Sequence, residues 1–146
     1  MKRIVEILAA IGGGLLAFAT NLPPIIWVLM GIMSMDYVTG LICGFLGKSH
    51  KTEMGGLSSG AAFQGLMKKI VILIVVGMAA LVDQAIGHIA GMEMVAVTGA
   101  TCMWFVASEG LSVLENAASM GIKIPQVLLK ALEIVRQKGD VPEDGE

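Results

Sequence analysis

The lysines and arginines of this 146-residue chain fall at Lys2, Arg3, Lys48, Lys51, Lys68, Lys69, Lys123, Lys130, Arg136 and Lys138. None lies between positions 4 and 47, and none between 70 and 122. Each gap is long enough for two membrane-crossing helices of about 20 residues. The gaps are also apolar. The chain is 55% hydrophobic and only 15% charged, against about 25% charged in soluble domains. That composition predicts a small integral membrane protein. Two helical hairpins with their turns on the far side place every basic residue on one side, and the positive-inside rule makes that side the cytoplasm.

The predicted architecture is all-α: four transmembrane helices in residues 1–122, a C-terminal amphipathic helix over 123–138, and a disordered acidic tail over 139–146. The spans are expected at about 4–22, 24–47, 70–89 and 94–114. The first is the weakest. Gly12, Gly13 and Gly14 lower its helix propensity, and Lys2 and Arg3 resemble the start of a signal peptide, read here as retained. In a three-span alternative it lies in the interface, which puts Lys2 and Arg3 outside, against the charge rule. Asn21-Leu22-Pro23-Pro24 reads as a turn, and Trp27 as an interfacial anchor. Residues 48–65 read as the main cytoplasmic loop, because its glycines and serines argue against a continuous helix. Lys68 and Lys69 then mark the membrane boundary. Gly121 is placed to end the fourth helix and Pro125 to start the last one. The last helix is too short and too charged to cross, and is expected on the inner membrane surface or against the bundle.

The polar residues inside the spans are the candidate functional groups. Asp36 is expected near the bilayer midplane, where an isolated carboxylate costs about 2.5–3.5 kcal/mol. It must be protonated, paired or hydrated. Asp83 lies in the outer half of the third span, at a different depth, so direct pairing of the two is not implied. On the fourth helix, Thr98, Thr101, Ser108, Ser112, Glu115 and Ser119 recur at three- and four-residue steps and share a face. Glu109 and Asn116 flank it. Such a stripe either bonds neighbouring helices through its hydroxyls or faces water. Glu115 and Asn116 also fit a hydrogen-bond network at a helix end. Gly40 and Gly44 form a small-xxx-small pair suited to a close helix crossing.

Several functions are excluded by what the pattern lacks. Cys43 and Cys102 sit in apolar runs and read as small buried residues. His50 and His88 read as interfacial histidines. No Cys/His cluster has metal-ligand spacing, and the Gly-rich loop lacks the G-x-x-x-x-G-K-[ST] spacing of a phosphate loop. Nothing resembles a cofactor site, and no nucleophile, base and oxyanion donors assemble, so no enzyme is expected. The net charge of −2 argues against a nucleic-acid partner.

Met35-Asp36-Tyr37-Val38-Thr39-Gly40, then Leu57-Ser58-Ser59 through Gly65-Leu66-Met67-Lys68-Lys69, and above all Glu109-Gly110-Leu111-Ser112-Val113-Leu114-Glu115-Asn116 before Gly121 and Ile124-Pro125 resemble the toxin-secretion/phage-lysis holins. Asp83 fits as well, and the matching segments span roughly residues 25 to 135. The resemblance implies a phage- or prophage-encoded protein of the bacterial cytoplasmic membrane. It would oligomerise into lesions that release an endolysin, or in some systems a toxin. The chain departs from the family pattern at Ser108, where Asn is frequent, at Lys123, where Pro is frequent, and in its acidic rather than lysine-rich tail.

The expected function is therefore a non-enzymatic holin with both termini cytoplasmic. The lipid bilayer, further copies of itself and an endolysin are its partners. Its mechanism would be lateral association followed by exposure of polar stripes to a water-filled lumen. Asp36, Asp83, Glu109, Ser112, Glu115 and Asn116 are the candidate pore or oligomer residues, and Gly40 and Gly44 the packing residues. The alternatives are a small ion channel or proton-coupled transporter subunit, to which membrane carboxylates also point, and a scaffold without a pore.

Overall fold

A computed structural model describes residues 2–20, 22–49, 52, 55–91 and 96–139. Five α-helices and no strands occur among them: α1 (Lys2–Thr20), α2 (Pro24–Phe45), α3 (Ser59–Ala90), α4 (Ala96–Ser119) and α5 (Gln126–Gly139). Three helices, where four were expected, are long and apolar enough to cross a membrane: α2, α3 and α4. The chain is a multi-pass membrane protein. α1 is helical over residues 4–20 of the expected first span, but its opening turns carry Lys2, Arg3 and Glu6, and it packs on no other helix among the described residues. The expected acidic tail from 140 onward, His50, Asn21 and the connection through Glu93 lie outside the described residues.

Local chemistry sets the helix ends. Pro23 holds φ −53° and ψ 139°, with Pro24 opening α2, where its missing N–H leaves no intrahelical bond unmade. At the other end Gly47, at φ +67°, lets the chain turn back. Its N–H donates to Gly44 O at 3.2 Å and the Lys48 N–H to Cys43 O at 2.9 Å, the paired bonds of a Schellman stop. Gly121, at φ +90°, closes α4 the same way, with Ile122 N–H reaching Ala117 O at 3.1 Å.

The start of α3 corrects the sequence reading. The helix begins at Ser59, not near 70, so Ser59–Gly65 are helical although that stretch was expected as loop. Ser58 caps it, its hydroxyl accepting the Ala61 N–H at 3.4 Å. Composition hid this because Gly and Ser lower helix propensity, while one capping oxygen and a long apolar continuation restore it. α3 thereby gains nearly three turns, and Lys68 and Lys69 sit inside it.

α4 is the central helix: α2, α3 and α5 all pack on it. The inward faces are periodic. α2 buries Ile26, Leu29, Met33, Asp36 and Cys43, and α3 buries Lys69, Ile72, Val76, Ala79 and Asp83, each at three- and four-residue steps or their multiples. Ile26, Leu29, Met33, Ile72, Val76 and Cys102 form the apolar core. The outward faces of α2 and α3 stay apolar, with Met35, Val38, Ile74 and Leu81 exposed, as a lipid-facing surface requires.

Candidate functional site

Beyond the apolar core the same three inward faces turn polar. Lys69 continues the α3 register of Ile72, Val76, Ala79 and Asp83 toward the N-terminus, so its ammonium points between the helices. It lies 2.8 Å from Asp36 Oδ2 on α2 and also bonds Glu109 Oε2 on α4. Asp36, Lys69 and Glu109 are all buried, Glu109 with only 1% exposure. Lys68, largely exposed, adds a second contact to Glu109 Oε1 at 3.3 Å. Two carboxylates and two ammonium groups make the cluster formally neutral. Isolated charges in a dry interior are expensive, and mutual pairing with full hydrogen bonding offsets much of that cost.

Asn116, two turns along α4 from Glu109, extends the network. Its Nδ2 donates to Asp36 Oδ1 at 3.2 Å and to Thr39 Oγ1 at 3.0 Å. Thr39 in turn donates to Met35 O at 2.8 Å, and the Cys43 thiol donates to Asn116 O at 3.1 Å. Among the described residues no buried side-chain nitrogen or oxygen lacks a hydrogen-bond partner. The cluster lies deep in the span: Asp36 is about 18 Å along α2 from Pro24, and Glu109 about 20 Å along α4 from Ala96.

Asp83 belongs to a different site. It lies about 21 Å along α3 from Lys69, and its carboxylate accepts the Val97 N–H at 2.9 Å and the Thr98 N–H at 2.7 Å. These are N–H groups of the first turn of α4, which have no partner within their own helix. Asp83 thus performs from a neighbouring helix the task of an N-cap side chain, and favours the positive end of the α4 dipole.

The remaining sequence candidates divide. Glu109 and Asn116, expected to flank the polar stripe, are buried in the network, whereas Glu115 on the stripe is exposed and Ser112 half-buried. Gly40 faces the Asn116 side chain: a Cβ there would sit 3.7 Å from Nδ2. Gly44 is tighter, since a Cβ would come within 3.1 Å of Leu57 Cδ1 and 3.2 Å of Leu57 Cα. Both glycines therefore have neighbours within the chain. Lys69 was missed. The charge rule reads a lysine pair as a boundary, but the signal that places Lys69 inside was available, since it shares its register with the apolar face of α3 from Ile72 to Ala79.

The model of the bacteriophage holin family matches residues 14–137. A probable holin of Bacillus phage phi105 is 34% identical over 106 residues, covering 73% of this chain and 70% of that protein. An uncharacterised protein of Listeria monocytogenes is 34% identical over 119 residues, 80% of this chain and 75% of its own length. An uncharacterised protein of Clostridium perfringens strain 13 is 31% identical over 118 residues, 81% and 78% respectively. No solved structure matches the chain.

Proposed function

Because the chain belongs to the bacteriophage holin family, we propose that it is itself a holin. In this reading it accumulates in the bacterial cytoplasmic membrane, associates with copies of itself, and forms lesions through which an endolysin or a toxin leaves the cytoplasm. No step of this requires a catalytic group. α1 supplies a fourth crossing and both termini are cytoplasmic, since otherwise Lys2 and Arg3 would lie outside.

The observation that carries the reading is the neutral Asp36–Lys69–Glu109–Lys68 cluster at membrane depth. It lets a chain with two deep carboxylates rest in lipid with both of them buried and paired. The same groups become favourable surface when helices separate around water, because hydration replaces the internal pairing. The polar stripe of α4, Thr101, Ser108, Ser112, Glu115 and Ser119, supplies further wettable surface, while Gly40 and Gly44 let α2 pack closely on Asn116 and Leu57 within each copy.

Membrane carboxylates also favour a second reading, a small ion channel or proton-coupled transporter subunit. One experiment separates the two. The chain is induced in a bacterium carrying a cytoplasmic endolysin that has no export signal, and membrane potential and culture turbidity are recorded together. Collapse of both is expected. Loss of potential without lysis supports the channel, and persistent potential at high expression supports a scaffold without a pore.

A further inference from the structure

α5 carries several charges, yet it does not project away from the bundle. α4, at 24 residues, is about 36 Å long, only slightly more than the roughly 30 Å hydrocarbon core it crosses. Gly110 is at least about 14 Å from either end of α4, and Trp104 about 12 Å from the nearer end. Both positions lie within the hydrocarbon depth however α4 slides along the membrane normal.

α5 packs on both. A Cβ on Gly110 would approach Leu132 Cδ1 to 3.1 Å, and a Cβ on Gly139 would overlap the Trp104 ring. α5 therefore runs antiparallel along α4, and its second half shares that depth. This half contains Glu133, Arg136 and Lys138, all exposed. No ion pair joins Glu133, Arg136 or the neighbouring Glu115 to another described residue. Between α4 and α5 opens a groove of about 640 Å³ whose polar lining includes Glu115, Glu133, Arg136 and Gln137.

Unpaired charges at this depth need water or counter-charges. Outside its own α4–α5 face, a second copy offers as counter-charge at this depth on α2 and α3 only the exposed Lys68, because the other exposed positions there include Met35, Val38, Ile74 and Leu81. Lipid offers none. We propose that the α4–α5 face is the water-facing wall of the assembled lesion, with α5 a wall element at membrane depth rather than a helix on the inner surface. This inference rests on the holin reading and assigns the lumen within it.

The test locks α5 onto α4. Gly110→Cys with Leu132→Cys, and separately Trp104→Cys with Gly139→Cys, are made in full-length protein carrying Cys43→Ser and Cys102→Ala. Each is reconstituted in vesicles loaded with a small dye and a folded endolysin, then treated with a mild oxidant or a reductant. At least one pair should cross-link, and the locked protein should release both cargoes within twofold of its reduced form. Release that falls tenfold or more on oxidation and returns on reduction means α5 must leave α4, and overturns the wall. Absence of both cross-links in the membrane overturns it too. Dye release without endolysin release, equal in locked and reduced forms, overturns enzyme export while supporting the wall. If the unsubstituted chain releases neither cargo, the holin reading fails, and the wall with it.

Discussion

Lys69 and Asp36 stand 33 positions apart in the chain and 2.8 Å apart in the fold. Their pairing joins α3 to α2, and the second bond of Lys69 to Glu109 joins both to α4. Lys69→Met should therefore leave the buried Asp36 without its cation and Glu109 with only the exposed Lys68. Removing one partner of a buried ion pair costs about 3–5 kcal/mol. Unfolding of the detergent-solubilised protein should show a loss of that order. Lys68→Met, altering an exposed side chain, should cost less than about 1 kcal/mol. Equal effects would remove Lys69 from its central place.

Asp83 holds the first turn of α4 through two backbone bonds. Asp83→Ala should destabilise the fold by about 0.5–2 kcal/mol, the range for a lost N-cap. It should also speed hydrogen exchange at Val97 and Thr98 more than at Glu109. Asp83→Asn, which keeps one accepting oxygen, should fall between. Unchanged exchange at Val97 and Thr98 would refute the capping role.

The two glycines of α2 should behave differently. At Gly40 the added methyl meets Asn116 at an ordinary 3.7 Å, so Gly40→Ala should be tolerated. At Gly44 it meets the Leu57 backbone at 3.2 Å, and overpacking of this kind costs about 1–3 kcal/mol. Gly44→Ala should lower stability measured on the dispersed monomer. A loss of self-association with no change in monomer stability would place Gly44 at an interface between copies instead.

Glu115 and Glu109 sit on the same helix and should separate fold from lesion. Glu109→Gln removes a buried charge bonded to Lys69, and should reduce stability and delay lysis together. Glu115→Gln changes an exposed group, so stability should hold within about 0.5 kcal/mol, while lysis timing at matched protein level shifts if the stripe meets water. Normal timing would remove Glu115 from the lesion.

Topology is open to a reporter. A phosphatase active only outside the cytoplasm should be silent when fused after Glu146 and active when inserted between Asn21 and Pro24. An active C-terminal fusion would overturn the charge argument.

The chain's lysine-free apolar gaps by themselves determined that this is a helical membrane protein, because hydropathy and helix length are local properties that lipid enforces on any span. The cost of a carboxylate in lipid likewise marked Asp36, Asp83 and Glu109 as groups needing shelter before any partner was known. Which shelter each one takes was decided only in three dimensions. Asp83 meets backbone N–H groups and Asp36 meets an ammonium, since pairing depends on helix rotation and relative depth, which no local pattern encodes. The start of α3 at Ser59 depended on one capping bond outweighing the propensities of its glycines and serines, and that shift carried Lys69 from the expected boundary into the core. The docking of α5 along α4 was also a tertiary outcome. An amphipathic helix supplies an apolar face, but only the complementary surface, here Gly110 and Trp104, selects between the membrane surface and the bundle.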